Sequence, residues 1–227
     1  MTTVYSLKAD KYSSHMQIAE FIKSLGLLPH SKILDVGCSK GFLGKNLSKL
    51  NFDLYGIEMD KNDAKMARLH YKDIKICDLD FGMPVFKENF FDAIVMADVL
   101  EHLKNPLKAL RHFKRFSKNG YIIISTGNVA NIWIRINLLF GRFDYTGKGI
   151  LDRTHVHLYT LKNFKSLADE AGLGVKQVFV TPIPLPLVSD LFSKGNIFHL
   201  LHKINYMLAF LWKNLFGYQF ILVCEKK

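Results

Sequence analysis

The sequence predicts an α/β fold built on a doubly wound, mostly parallel sheet of seven strands, with a helical insertion before the last strand. Short apolar runs of strand length alternate with stretches of helical period from Lys32 to Ala171, and acidic residues recur where those runs end. Size agrees with this. At 227 residues, with 49% hydrophobic and 22% charged residues, the chain can bury a substantial core, and neither disorder nor a repeat array fits. One domain over residues 1–227 is the simplest expectation, with 181–217 as a helical insertion or cover.

The elements follow in order. Ile18, Phe21, Ile22 and Leu25 share one face of a leading helix over Tyr12 to Leu25, broken at Gly26 and Pro29. Lys32 to Gly37 is a buried strand running into a glycine turn, and Leu43, Leu47 and Leu50 mark the helix after it. Asp53 to Glu58, Ile74 to Cys77 and Asp92 to Ala97 are the next three strands, with a helix over Asn62 to His70. Asn105 caps a helix that reaches Phe116, and Pro106 suits its first position because a proline there loses no hydrogen bond. Tyr121 to Ser125, Val175 to Val180 and Tyr218 to Cys224 complete the strands, and Gly172 stops a helix over Leu161 to Ala171.

Composition excludes several classes. Met1 to His15 is too polar for the apolar core of a signal peptide, so a cytoplasmic location is expected. The apolar run Tyr206 to Trp212, between Lys203 and Lys213, falls far short of the ~20 residues of a spanning helix. Cys38, Cys77 and Cys224 fit neither a disulfide framework nor a zinc pattern. The net charge of +11 is uneven: residues 1–110 hold 15 Lys and Arg against 14 Asp and Glu, and residues 111–227 hold 16 against 6. That basic half suits phosphate-bearing substrates, anionic lipid or nucleic acid, and equally a solvated surface with no specific partner.

The turn Asp35-Val36-Gly37-Cys38-Ser39-Lys40-Gly41 sits where a doubly wound sheet binds a nucleotide, at the carboxyl end of the first strand. A nicotinamide oxidoreductase would place glycines at Ser39 and Phe42, so that reading is disfavoured. Glu58 ends the second strand, where a carboxylate can accept from ribose hydroxyls. Asp78 follows the third strand and can accept from an adenine amine, and Leu79 offers apolar surface to the ring. Any one of these carboxylates is more simply a solvated side chain, but Asp35, Glu58, Asp78 and Asp98 recur at the same edge.

Ile33 to Gly41, Tyr55-Gly56-Ile57-Glu58-Met59-Asp60, Cys77-Asp78-Leu79 and Ala97-Asp98-Val99-Leu100-Glu101-His102-Leu103 resemble, in order, the motifs of class I S-adenosylmethionine-dependent methyltransferases. The resemblance implies a Rossmann-like fold and S-adenosylmethionine as cofactor. It implies that Asp35, Gly37, Gly41, Glu58, Met59, Asp78, Leu79 and Ala97 line the cofactor site: Gly37 and Gly41 at its methionine end, Glu58 at ribose, Met59 and Leu79 beside adenine. Ser39 replaces the usual second glycine. Ser125 to Arg142, with Asn128 and Trp133, and then Asp152-Arg153-Thr154-His155 to Thr160, is similar to methyltransferases of bacterial glycan synthesis and to MetW proteins.

His102 and His155 are the candidate catalytic residues, with His157 behind them, because a hydroxyl acceptor benefits from a base of suitable proton affinity. Asp98, Glu101 and His102 resemble a metal cluster of ubiquinone-pathway O-methyltransferases, but no metal is expected, since such a set is not diagnostic of one ion. Nucleic acid is not an expected partner: no N/D-P-P-Y/F tetrad follows the fourth strand. The expected activity is methyl transfer to a small polar acceptor, with oxygen favoured, on a sugar, lipid-linked glycan precursor or phosphate-bearing metabolite. The alternative is a MetW-like partner of methionine biosynthesis. Within 181–217, Ile197, Leu200, Leu201, Ile204, Leu208, Leu211 and Leu215 form a helical stripe with Phe198, Phe210, Trp212 and Phe216, near Lys194, Lys203 and Lys213. A core-packed helix, a lid, a homodimer contact and a peripheral membrane contact through 197–216 at the inner membrane surface all stay open.

Overall fold

The seven apolar runs form one sheet, and their order explains why the acidic residues gather at one edge. A computed structural model describes residues 11–185 and 196–227; the expectations that rest on Met1 to Asp10, on Lys194 and on the side chains of Ile197 and Phe198 lie outside the described residues. The strands are β1 (Lys32–Val36), β2 (Asp53–Glu58), β3 (Asp73–Ile76), β4 (Phe91–Ala97), β5 (Ser117–Gly127), β6 (Leu173–Thr181) and β7 (Gln219–Lys226), in the order β3-β2-β1-β4-β5-β7-β6. Only β7 runs against its neighbours, β5 and β6. The chain reverses its direction of build-out between β1 and β4, which opens a crevice at their carboxyl ends. The pairing of Gly127 with Gln219 brings the start of β7 to that same edge.

Both faces of the sheet are covered, which is why the strands read as continuous apolar runs. Leu34, Ile94 and Ile122 pack on one face with Leu110 and Phe113 of α4 (Pro106–Lys114) and Phe164 of α6 (Leu161–Glu170). Ile33, Val95 and Ile123 pack on the other with α1 (Ser14–Ser24), α2 (Phe42–Leu47) and α3 (Lys61–Ala67). The helix starts are set by local chemistry. The Asp60 carboxylate accepts from the N–H groups of Asn62 and Asp63 at 2.8 Å each, Asn105 accepts from Lys108 N–H at 3.0 Å, and Thr160 and Asn163 form a capping box.

Two regions go beyond the sequence expectation. The first is α5 (Ile132–Leu139), where Ile132, Ile134 and Ile136 alternate like a strand, but Asn131 accepts from Trp133 N–H at 3.0 Å and opens a helix. The second is the insertion, which holds α7 (Asn196–Leu211) and the short α8 (Lys213–Phe216). Its stripe is not a core seam: among the described side chains of α7, Ala209 alone is fully buried, and Leu200, Leu201, Ile204 and Leu211 are exposed.

Asp35 is buried at the end of β1 and accepts a hydrogen bond from the Tyr71 hydroxyl, which in turn accepts from Gly44 N–H at 3.1 Å. This chain of bonds fastens β1, the start of α2 and the segment after α3 to one another. A Cβ on Gly44 would lie 2.4 Å from the Tyr71 ring, so the ring and the helix backbone are in direct contact. Replacing Tyr71 with Phe keeps the ring and removes the hydroxyl, so the variant is expected to lose about 1–3 kcal/mol of stability in urea unfolding. An unchanged midpoint would mean that the hydroxyl does not hold these elements.

Candidate active site

The glycine turn is shaped by backbone conformation and by contact. Gly37 and Gly41 have φ of +74° and +82°, which favour glycine. A Cβ on Gly37 would meet Val99 Cγ2 at 2.5 Å, and one on Gly41 would meet Ala67 Cα at 2.9 Å. Gly37 and Cys38 N–H both donate to the Ile57 carbonyl, at 2.8 and 3.0 Å, which holds the turn against the end of β2. Ser39, at the usual second glycine, also adopts positive φ, 46°. Its N–H donates to Glu58 Oε2 at 2.7 Å and its hydroxyl to Asp63 Oδ2 at 3.2 Å, and these bonds hold a conformation unfavourable to a non-glycine residue.

Glu58 is buried at the edge of the turn. Besides Ser39, its carboxylate accepts from Met59 and Asp60 N–H, both at 2.9 Å on Oε1. Three of roughly four acceptor sites are therefore taken, leaving about one on Oε2 for a ligand hydroxyl. Asp78 accepts from Asp80 N–H at 3.0 Å through Oδ1, and its other oxygen has no hydrogen bond among the described residues. Leu79 is buried, Met59 is 66% exposed and Ala97 is half-buried. The edge thus offers open carboxylate oxygens as acceptors and uncovered apolar surface at Met59, which suit the hydroxyls, amine and ring of an adenosine and a cationic sulfonium. Asp35 serves the Tyr71 bond described above.

Past Ala97 the chain turns at Asp98, whose φ is +56°. Its carboxylate accepts from the Ser125 hydroxyl at 2.7 Å, from Gln219 Nε2 at 2.9 Å and from the Ser14 hydroxyl at 3.4 Å. Beside it lies a cavity of about 170 Å³, lined by Asp98, Glu101, His102, Asp152, His155, Tyr218 and Gln219 with Gly127, Gly149 and Ile150. Val99, which follows the cavity residue Asp98 in the chain, packs on the glycine turn, so the cavity lies beside the crevice above β1. A larger open hollow of about 470 Å³ lies near Lys165, Asp169 and Leu173, at the amino end of β6 and hence the opposite edge of the sheet.

The structure brings His102 and His155 together and leaves His157 outside the cavity. The two rings meet edge to face with centroids 4.7 Å apart. His155 Nδ1 lies 2.9 Å from the Ile150 carbonyl, an acceptor only, so Nδ1 carries the proton and Nε2 the lone pair. His102 Nδ1 lies 3.3 Å from the Thr154 carbonyl and 3.1 Å from the Thr154 hydroxyl, which donates its one proton to Asp152 Oδ1 at 2.7 Å. Nδ1 of His102 is therefore also the protonated nitrogen, and Nε2 is a free base. Asp152 and Thr154, neither of them singled out for this role by sequence, fix that tautomer. His157 instead places Nε2 3.5 Å from the Lys104 carbonyl and stacks on Tyr159.

Burial, and then the proximity of His155, holds the His102 imidazole below its ordinary value and so neutral. Glu101 is 2% exposed, and burial followed by the charge of Asp98 pushes its carboxyl up to about 8. Its Oε2 has no hydrogen-bond partner, which suits a protonated, neutral acid. Asp98, Glu101 and His102 do not converge as a ligand set: among the described residues no group of three His, Cys, Asp or Glu is placed to hold a metal ion.

A family model described as a methyltransferase domain matches residues 12–178, well over half of the chain. The chain belongs to this methyltransferase family. It is an S-adenosylmethionine-dependent enzyme with that family's Rossmann-like sheet. It is similar to proteins named ubiquinone biosynthesis O-methyltransferase: 33% identical over 114 residues to that of Alkalilimnicola ehrlichii, covering 46% of this chain and 44% of the relative. To that of Chromobacterium violaceum it is 28% identical, covering 69% and 70%, and to that of Aeromonas salmonicida 27%, covering 83% and 79%. In fold it resembles an S-adenosylmethionine-dependent methyltransferase from Archaeoglobus fulgidus at TM-score 0.62 and 15% identity, over 99% of this chain and 100% of the other. It also resembles the magnesium protoporphyrin IX methyltransferase of Synechocystis PCC 6803 with bound SAH at TM-score 0.63 and 14% identity, over 99% and 84%.

Nuclear magnetic resonance can follow the two histidines of the methyltransferase separately. His102 is expected to titrate below 6.5, the ordinary value for imidazole. Replacing His155 with Gln removes the neighbour that, after burial, disfavours the charged form of His102, so the midpoint of His102 should move up. A wild-type midpoint at or above 6.5, or no movement in the variant, would contradict the assigned environment.

Proposed function

We propose that this methyltransferase transfers a methyl group to a hydroxyl of a small polar acceptor bound in the cavity at the ends of β4, β5 and β7. The observation that carries the proposal is the pair of histidines in that cavity, each with Nδ1 committed to a carbonyl and Nε2 left as a base. S-adenosylmethionine supplies a methyl group activated on a sulfonium sulfur. Glu58 accepts a ribose hydroxyl, Asp78 accepts from the adenine amine, Met59 and Leu79 cover the ring, and Gly37, Gly41 and Ala97 let the cofactor approach the backbone. Asp35 supports the site from behind through Tyr71 rather than by contact.

His102 Nε2 takes the acceptor proton as the oxygen is methylated, and Asp152 and Thr154 hold the ring so that the lone pair faces the cavity. Burial, and then the proximity of His155, keeps His102 neutral. Tyr218 and neutral Glu101 complete the wall without adding charge. Burial raises the Tyr218 phenol, and the charge of Asp98 raises it further, so it remains a donor. The acceptor fits best as a sugar or a lipid-linked glycan precursor, by the motif likeness of Ser125 to Arg142, and the O-methyltransferase names of the relatives agree with oxygen as the methylated atom. The described helices of the insertion, α7 and α8, cover the acceptor side of the domain.

Two measurements test this reading. In calorimetry with S-adenosylhomocysteine, Glu58→Ala should weaken binding by about 1–3 kcal/mol if a ribose hydroxyl is held there; unchanged affinity in a folded variant would remove Glu58 from the site. With labelled S-adenosylmethionine and extracts enriched in nucleotide sugars and lipid-linked saccharides, His102→Ala should lower turnover by about 10² to 10⁴-fold while S-adenosylhomocysteine binding persists. Full turnover would exclude His102 as the base. Absent turnover in the wild type, with a biosynthetic enzyme co-purifying, would favour the MetW-like partner role.

A further inference from the structure

We infer that α5 and the α7–α8 insertion together form a docking surface for an anionic lipid bilayer, placed beside the mouth of the acceptor cavity. The inference rests on the hydroxyl-methylation reading only for its purpose, which is to present a lipid-linked acceptor to the cavity.

The two helical pieces are fastened together by side-chain hydrogen bonds. Asn131 Nδ2 donates to the Gly217 carbonyl at 2.9 Å, and Asn128 Nδ2 donates to the carbonyls of Asn214 and Gly217 at 3.1 and 2.8 Å. Asn128 and Asn131 are fully buried, so these bonds are part of the fold. They join the start of α5 to the end of α8. The adjoining residues Gly127 and Tyr218 line the cavity, so the junction and the cavity share a wall.

On either side of this junction the helices leave large apolar side chains in water. Trp133, Leu139 and Phe140 on and after α5 are 66%, 83% and 76% exposed, and Phe210, Leu211 and Trp212 at the end of α7 are 57%, 64% and 60% exposed. Scattered single residues of this kind are ordinary; two clusters on joined elements are not. The charge on these elements selects the partner. Residues 128–143 and 196–218 hold Arg135, Arg142, Lys203 and Lys213 and no Asp or Glu. None of those four forms an ion pair among the described residues, and Lys213 lies over the Phe210 ring with Nζ 5.1 Å from its centroid. Aromatic and aliphatic side chains edged by uncompensated cations match an interfacial surface over anionic headgroups, where the rings enter the acyl boundary and the cations stay at the phosphates. A self-association face of this chain would instead bring four cations against four others. Among the described residues no helix is long and apolar enough to cross a membrane, so the contact is peripheral.

The test is flotation of the full chain with vesicles of phosphatidylcholine containing about one third phosphatidylglycerol, against vesicles of phosphatidylcholine alone. The protein should float with the anionic vesicles, fail to float with the neutral ones, and be released as salt is raised. Leu139→Ser with Phe140→Ser, and separately Phe210→Ser with Trp212→Ser, should each weaken anionic-vesicle binding by about tenfold or more. All four side chains are exposed, so the variants should keep the wild-type circular dichroism spectrum and S-adenosylhomocysteine affinity. Flotation lost only in the second pair would overturn the role of α5. No flotation of the wild type, or a dimer in light scattering that the same substitutions dissociate, would overturn the bilayer as occupant. The vesicle result does not depend on turnover, so failure of the hydroxyl reading shows in the methyl-transfer assay and failure of this one in flotation.

Discussion

The carboxylate of Asp98 is the junction on which the working edge of this methyltransferase depends. It receives Ser125 from β5, Gln219 from β7 and Ser14 from α1, and its own N–H is held by the carbonyl and hydroxyl of Ser125. Its backbone lies in the left-handed region, which a short polar side chain tolerates better than a branched one. With that turn fixed, Val99 packs on Gly37, Glu101 enters the core and His102 reaches Thr154. One side chain thereby sets the wall between the crevice over β1 and the cavity over β5 and β7.

The same carboxylate organises the charge. Burial, and then its proximity, keeps Glu101 neutral, so the cavity does not gather two adjacent anions. The hydrogen bonds from Thr154 hold Asp152 below the ordinary carboxylate range, so it stays ionised while it orients the hydroxyl that faces His102. The cavity is then furnished with a neutral His102 imidazole that can receive a proton. Beside the cavity, Glu58, Asp78 and Asp98 form an acidic rim suited to a cationic donor.

The sheet was legible because strands buried on both faces read as uninterrupted apolar runs, and each run fell within a residue or two of a strand, apart from longer ends on β5 and β6. At those ends Ser117 pairs with Phe91, and Leu173 and Gly174 pair with Lys226 and Glu225, contacts that no local pattern announces. The alternating isoleucines of α5 concealed a helix that Asn131 announces. In the site, the acidic residues at strand ends could be found because the topology sends every parallel strand to one edge. Tyr218, Gln219 and Asp152 could not, since they reach the cavity from an antiparallel strand and a long loop. Glu101 was visible only as a metal ligand by resemblance, whereas its burial beside Asp98 is a property of the folded chain. Spacing put His155 and His157 on one side of the chain; the fold separates them, His155 turning to the Ile150 carbonyl in a part-buried contact and His157 to the Lys104 carbonyl in an exposed one.

A crystal structure of the complex with S-adenosylhomocysteine tests the central claim most directly, because that claim is one of placement. The account expects the ribose on Glu58 and the sulfur directed past Ala97 and Asp98 into the cavity that holds His102 and His155. Adenosine bound away from Glu58, or a sulfur facing out of that cavity, would contradict it.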